Sequence, residues 1–162
     1  MDTISAYFDA ERTESIVFIV VGALAMVAAA ICVFSLRKPL FTGMALTLTV
    51  VAALQLIVGL TIYQRSPHDT MHVHEMLKST PQRIQSEEVP RMQVVMRNFR
   101  IYLAVEVALL LISLAALVVA SENTFLRGAA IGMAIQAALT AVLDLIATER
   151  GAAYLSWLLS KA

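Results

Sequence analysis

Residues 16–36 read IVFIVVGALAMVAAAICVFSL, 21 positions without a charge. About 20 apolar helical residues cross the hydrocarbon core of a bilayer, so this run is long enough to span it. It is not read as a secretory signal. A signal has a positive segment before a short apolar core, whereas Asp2, Asp9, Glu11 and Glu14 precede this one. The expectation is a retained span, with residues 3–14 forming a short interfacial helix that carries Ile4, Tyr7 and Phe8 on one side.

Three further runs have the same character. Residues 39–63 carry no charge, residues 101–120 carry only Glu106, and residues 125–147 carry Arg127 at one end and Asp144 near the other. The runs are rich in Ala and Leu and lack the strict alternation of barrel strands, which leaves helices as the spanning form. The fold class expected is all-α: a polytopic membrane protein, one antiparallel four-transmembrane-helix bundle over residues 1–162. Composition agrees, with 59% hydrophobic and 15% charged residues and a mean hydropathy of +0.78. Twelve basic residues balance twelve acidic ones, so no net positive field favours a nucleic acid as partner. The single cysteine, Cys32, excludes an internal disulfide or a thiolate metal cage.

Arg37-Lys38-Pro39 and Ser121-Glu122-Asn123-Thr124 are tight turns that make their flanking helices antiparallel neighbours. Residues 64–100 form the one long connection, an extramembrane helical segment expected to lie on the membrane surface. Ser66-Pro67-His68-Asp69 reads as an N-cap with proline at the first helical position, which starts a separate helix over 67–78. Thr80-Pro81 and Ser86-Glu87-Glu88 read as further starts. From Met92 the helical spacing runs directly into the third span, which should begin near Val89.

Basic residues near the spans set orientation. Arg12, Arg65, Lys78, Arg83, Arg91, Arg97, Arg100, Arg150 and Lys161 lie on one side, against Arg37, Lys38 and Arg127 on the other. Nine to three places both termini and the long segment in the cytoplasm, in a bacterial inner membrane.

Polar residues in hydrocarbon are costly and mark where chemistry can sit. Asn98, Tyr102, Glu106 and Ser113 share a face of the third span, Gln136, Thr140, Asp144 and Thr148 recur every four residues on the fourth, and Gln55, Gly59 and Tyr63 share a face of the second. These stripes predict an inward pocket that binds or transports a small ligand, a proton or a cation. Its residues would be Glu106, Asp144, Gln55, Tyr102, Gln136 and Asn98, with Arg65, Arg97, Arg100 and Arg150 around the mouth. Against this stands a purely structural role, in which the two acids are satisfied by neighbours and register the helices.

His68, His72 and Glu75 fall at i, i+4 and i+7, a spacing that can share zinc, nickel or copper, although a solvated helix face is the simpler reading. Gly128 and Gly132 form a G-x-x-x-G that favours close packing, within the chain first and between chains second. The methionines read as adaptable apolar surface, and Tyr154 and Trp157 as interface anchors. No cofactor is indicated, and no histidine inside a span offers axial ligation to haem. No nucleophile–base set appears, so an enzyme is disfavoured; one would need the histidine segment to fold over the pocket. The competing reading is a non-catalytic membrane subunit that binds partner proteins through its helices and the 64–100 segment. Besides the lipid bilayer, the partner expected is a second copy in a homodimer, or a larger membrane complex.

Overall fold

The computed structural model describes residues 3–80, 82–120 and 122–161. Four long helices form the molecule: α1 (Thr3–Ile31), α2 (Pro39–Ser79), α3 (Val89–Val119) and α4 (Thr124–Lys161). A π-helical turn, Cys32–Leu36, ends α1, and a second, Ile84–Glu88, leads into α3. All four helices are long and apolar enough to cross a membrane. The fold expected from the apolar runs is therefore the fold observed, an all-α antiparallel four-helix bundle.

The helices pack in the order α1–α2–α4–α3. α2 and α4 form the central pair and run parallel, as the up-down-up-down path requires. Glycines decide how closely they meet. A Cβ on Gly128 would land on the carbonyl of Leu40, one on Gly43 on the carbonyl of Phe125, and one on Gly132 on Thr47 Oγ1. The G-x-x-x-G thus packs within the chain, and Gly43 supplies its counterpart on α2.

Burial follows a seven-residue repeat. On α2 the buried positions include Ala45, Ala52, Gly59, Ser66 and Val73, with Leu48, Gln55 and Met76 between them. On α4 they are Ala130, Ala137, Asp144, Gly151 and Leu158, interleaved with Thr140, Ala147 and Tyr154. Phe8, Ser15, Gly22 and Ala29 repeat the pattern on α1. Such a 3.5-residue period keeps a seam facing its neighbours along a whole helix. The stripes expected from steps of four drift about 40° per step on a 3.6-residue helix. That drift carries Tyr102 off the seam, where it is 52% exposed, and leaves Thr148 bonding its own helix at the Asp144 carbonyl, 2.7 Å away.

α2 corrects the expected break at Pro67. The helix runs through the proline for 41 residues, about 60 Å and twice the hydrocarbon thickness. Proline inside a helix sacrifices a backbone bond and costs roughly 3 kcal/mol. Packing offsets it here: Ser66, instead of capping, donates its hydroxyl to the Phe8 carbonyl of α1 at 3.0 Å. Asp69 likewise turns back to Arg65 at 2.8 Å, a pairing that exists because the preceding turn is helical. Residues 64–79 are therefore a direct continuation of the second helix. Ser86 belongs to the second π-turn and caps nothing; Pro81 lies outside the described residues.

The same continuity holds at the chain's N-terminal end. Residues 3–14 are the first turns of α1, and Ile4, Tyr7 and Phe8 are buried with Val73, Met76, Ile84, Val89, Met92, Tyr154 and Leu158. This aromatic core joins all four helices beyond the apolar runs. Tyr154 is 2% exposed and stacks on Tyr7 at 4.1 Å, so it is a core residue and no interface anchor. Trp157 packs against the same cluster. At the opposite end the core is small: Ala29, Cys32, Ala45 and Leu48. There Arg37, at φ 48°, makes the turn between α1 and α2, and Asn123 caps α4 by accepting the Leu126 N–H at 3.0 Å. Ser121 of that second turn lies outside the described residues.

Candidate polar site along helix α4

Between the aromatic core and the small-residue core, the seam of α4 turns polar. Each polar position there meets a different helix. Gln136, 2% exposed, accepts a hydrogen bond from Gln55 Nε2 of α2 at 3.1 Å. Thr140 donates to the Gln136 carbonyl at 2.9 Å, and the Glu106 carboxyl of α3 sits against its hydroxyl. Asp144, 8% exposed, is within electrostatic reach of Glu106 on one side and of Glu14 of α1 on the other. Nearly two turns further, Arg150 Nη1 pairs with Glu14 Oε2 at 2.6 Å, and its guanidinium lies 5.5 Å from the centre of the Tyr7 ring.

A second ionic group flanks this column. Glu11 Oε1 lies 3.5 Å from Arg65, which also holds Asp69. Burial dominates at Glu11 and pushes its carboxyl above the ordinary value, although Arg65 and Arg150 pull the other way. Tyr7 is pushed up to about 12, again chiefly by burial. Glu88, 2% exposed, is satisfied by Arg91 at 2.6 Å and by the Tyr154 hydroxyl at 3.1 Å; it closes the aromatic core.

Satisfaction is uneven. Among the described residues, Glu11 Oε2, Glu14 Oε1, Gln55 Oε1, Glu106 Oε2 and Arg150 Nε are buried without a hydrogen-bond partner. Most buried polar atoms in folded proteins have partners, so these orphans, in the column and at its flank, mark a place where protons, water or an ion can be accommodated. No ion pair among the described residues reaches Asp144 or Glu106.

The structure thus brings Glu106, Asp144, Gln55 and Gln136 together, with Arg150 beside them and Arg65 at the flank. Asn98 is partly buried on α3, and among the described residues no side-chain hydrogen bond ties it to this column. Tyr102, Arg97 and Arg100 face outward, because they fall off the seven-residue seam of Met92, Phe99, Glu106 and Ser113. Arg97 and Arg100 therefore do not ring the column.

Glu14 and Glu11 were missed by the sequence reading, which assigned residues 3–14 to the membrane surface. The signal was present: Ile4 and Glu11, like Phe8 and Ser15, are seven residues apart and continue the seam of the first span.

His68 and His72 are stacked neighbours, with ring centres 6.3 Å apart. The His68 side chain is 80% exposed, and Glu75 lies on the same exposed part of α2. Arg83 and Glu87, at the second π-turn, come within electrostatic reach of Glu75 and His72, but no group of three metal-ligating side chains forms among the described residues. Comparison with family models, curated proteins and solved structures finds no match for this chain.

Proposed function

We propose that this integral membrane protein binds and conducts protons, or a small cation, along the carboxyl column Glu14, Asp144 and Glu106. The observation that carries the reading is a charge imbalance. Three carboxyls from three helices line up on one seam with a single guanidinium, Arg150, which is paired to Glu14. Ionised acids without a counter-charge are expensive in a low-dielectric interior, so the deficit is met by protons or a bound cation. Orphan oxygens on Glu14, Glu106 and Gln55 supply the acceptors such a guest needs. A protonated Glu106 can donate to the Thr140 oxygen, whose own proton is committed to a backbone carbonyl.

Orientation belongs to the same proposal. The nine-to-three bias in basic residues supports a cytoplasmic location for both termini and for the 64–100 segment. The aromatic core then stands on the cytoplasmic side, and the column leads from beneath it toward the bilayer interior.

Reconstitution into liposomes with an internal pH dye tests the reading, using a potassium gradient and valinomycin to set the potential. Wild type should acidify or alkalinise the lumen faster than empty vesicles, or do so in a Na⁺- or K⁺-dependent manner. Asp144→Asn and Glu106→Gln should each lower that rate at least about tenfold, the scale of one lost charged interaction of about 1.4 kcal/mol, while keeping helical content. Vesicles no leakier than empty ones to protons, Na⁺ and K⁺, or variants that match wild type, would overturn it.

A further inference from the structure

Arginines in this protein are nearly all occupied. Arg12 donates to Tyr63, Arg37 to the Phe34 carbonyl, and Arg65, Arg83, Arg91 and Arg150 pair with carboxylates; Arg127 also has a partner. Among the described residues, Arg97 and Arg100 are the two arginines without a hydrogen bond, ion pair or ring contact within the chain. Both are exposed, one helical turn apart on α3. They stand at the head of a shallow, open groove on the outer face of α3 alone, whose remaining lining is Ile101, Ala104, Val105 and Ala108.

That juxtaposition has a chemical meaning. Two unpaired guanidiniums present a fork of donors suited to a phosphate. Directly below them the groove carries no polar side chain, and Ile101 and Val105 are about half exposed. The groove descends along the third apolar run, which begins at Ile101 immediately after Arg100. From Arg97 to Ala108 it extends about 16 Å, roughly half the hydrocarbon core. A ligand that fits has an anionic phosphate at one end and an alkyl chain at the other. We propose that this face of α3 is a binding site for an anionic phospholipid, with the headgroup phosphate on Arg97 and Arg100 and one acyl chain lying along the apolar strip below them. The site is separate from the carboxyl column, since these residues lie on the outer side of α3.

Native mass spectrometry of the full-length protein in detergent, offered phosphatidylglycerol and phosphatidylcholine of matched chains, reads the site directly. Each basic group near a membrane surface is worth about 1 kcal/mol toward anionic lipid, so two give a preference of about thirtyfold. Wild type should retain phosphatidylglycerol over phosphatidylcholine by that order. Arg97→Gln/Arg100→Gln should erase the preference, and Arg97→Lys/Arg100→Lys should keep most of it. Ala104→Phe/Ala108→Phe, which fills the groove, should weaken both lipids. Arg83→Gln, at an exposed arginine paired with Glu87, should change nothing. Equal retention of the two lipids by wild type would overturn the proposal, as would an equal loss in Arg83→Gln. Full displacement of the lipid by millimolar inorganic phosphate would also overturn it, by showing a bare anion site.

Discussion

The Glu14–Arg150 pair offers the sharpest test of how the polar layer is held. Its atoms are 2.6 Å apart, and the side chains retain 17% and 15% exposure for Arg150 and Glu14. With charge centres about 4 Å apart and an effective dielectric of about 20, the attraction is about 4 kcal/mol. Desolvation of both groups offsets much of that in the intact pair. Removing one partner leaves the other charge buried, and Glu14 Oε1 already has nothing to accept from. Arg150→Gln should therefore cost about 3 kcal/mol at neutral pH, within the range for a broken buried pair. Glu14→Gln should cost somewhat less, because Arg150 can still rest on the Tyr7 ring. The double variant should recover about 2 kcal/mol relative to the sum of the singles. Reversible unfolding in mixed micelles with increasing dodecyl sulfate measures all four proteins. The deficit of Arg150→Gln should shrink on acidification, when the orphaned carboxyl can take up a proton. A loss below about 1 kcal/mol, the value of a solvent-screened pair, or strict additivity in the double variant, would refute the reasoning.

Two further outcomes follow from packing and linkage. Gly128→Leu should cost about 3 kcal/mol or prevent folding, because its Cβ meets the Leu40 backbone. Gly151→Ala should stay within about 1 kcal/mol of wild type, because the atom in its way, 2.8 Å distant, is the sulfur of the flexible Met96; thermal unfolding in detergent compares the two. Burial holds the Glu11 carboxyl above its ordinary value of 4.5, so its favourable contribution is full below that value and is lost as pH rises through the shifted one. Glu11→Gln should flatten the midpoint-versus-pH curve over that window; an unchanged curve would show that Arg65 cancels the effect of burial, and a variant that removes a loss of stability on acidification would show that Arg65 dominates.

The number and approximate position of the helices were legible because the four apolar runs are long and interrupted by charged turns. The lengths of the helices were not. Hydropathy falls sharply at Gln64, and Ser66-Pro67 carries every local mark of a new start, yet α2 continues because Val73 and Met76 are covered by residues from the far ends of the chain. Local capping chemistry loses to that tertiary burial. The candidate site was legible in the same measure. Gln55, Glu106, Gln136 and Asp144 stood out as polar residues inside apolar runs, but Glu14 stood among flanking charges that read as solvated. A step of four also points to Tyr102, whereas the seven-residue seam passes through Phe99 and Glu106 instead.

The two kinds of polar layer on α4 differ in a way that bears on what each is for. Gln55 and Gln136 bond each other across the central pair of helices, and a directed side-chain bond of this kind fixes one register of α2 against α4. Thr140 likewise finds its partner in its own helix. For these residues a structural role accounts for the cost of burial. Asp144 and Glu106 differ: each is within reach of a like charge, and no ion pair among the described residues reaches either. Apolar residues of similar volume would pack such a layer at least as well, since even correctly paired buried ions are often matched by hydrophobic substitutes. Two ionised acids side by side would weaken the seam they occupy. The proposed function supplies the missing counter-charge, as a proton or a cation shared by the two carboxyls.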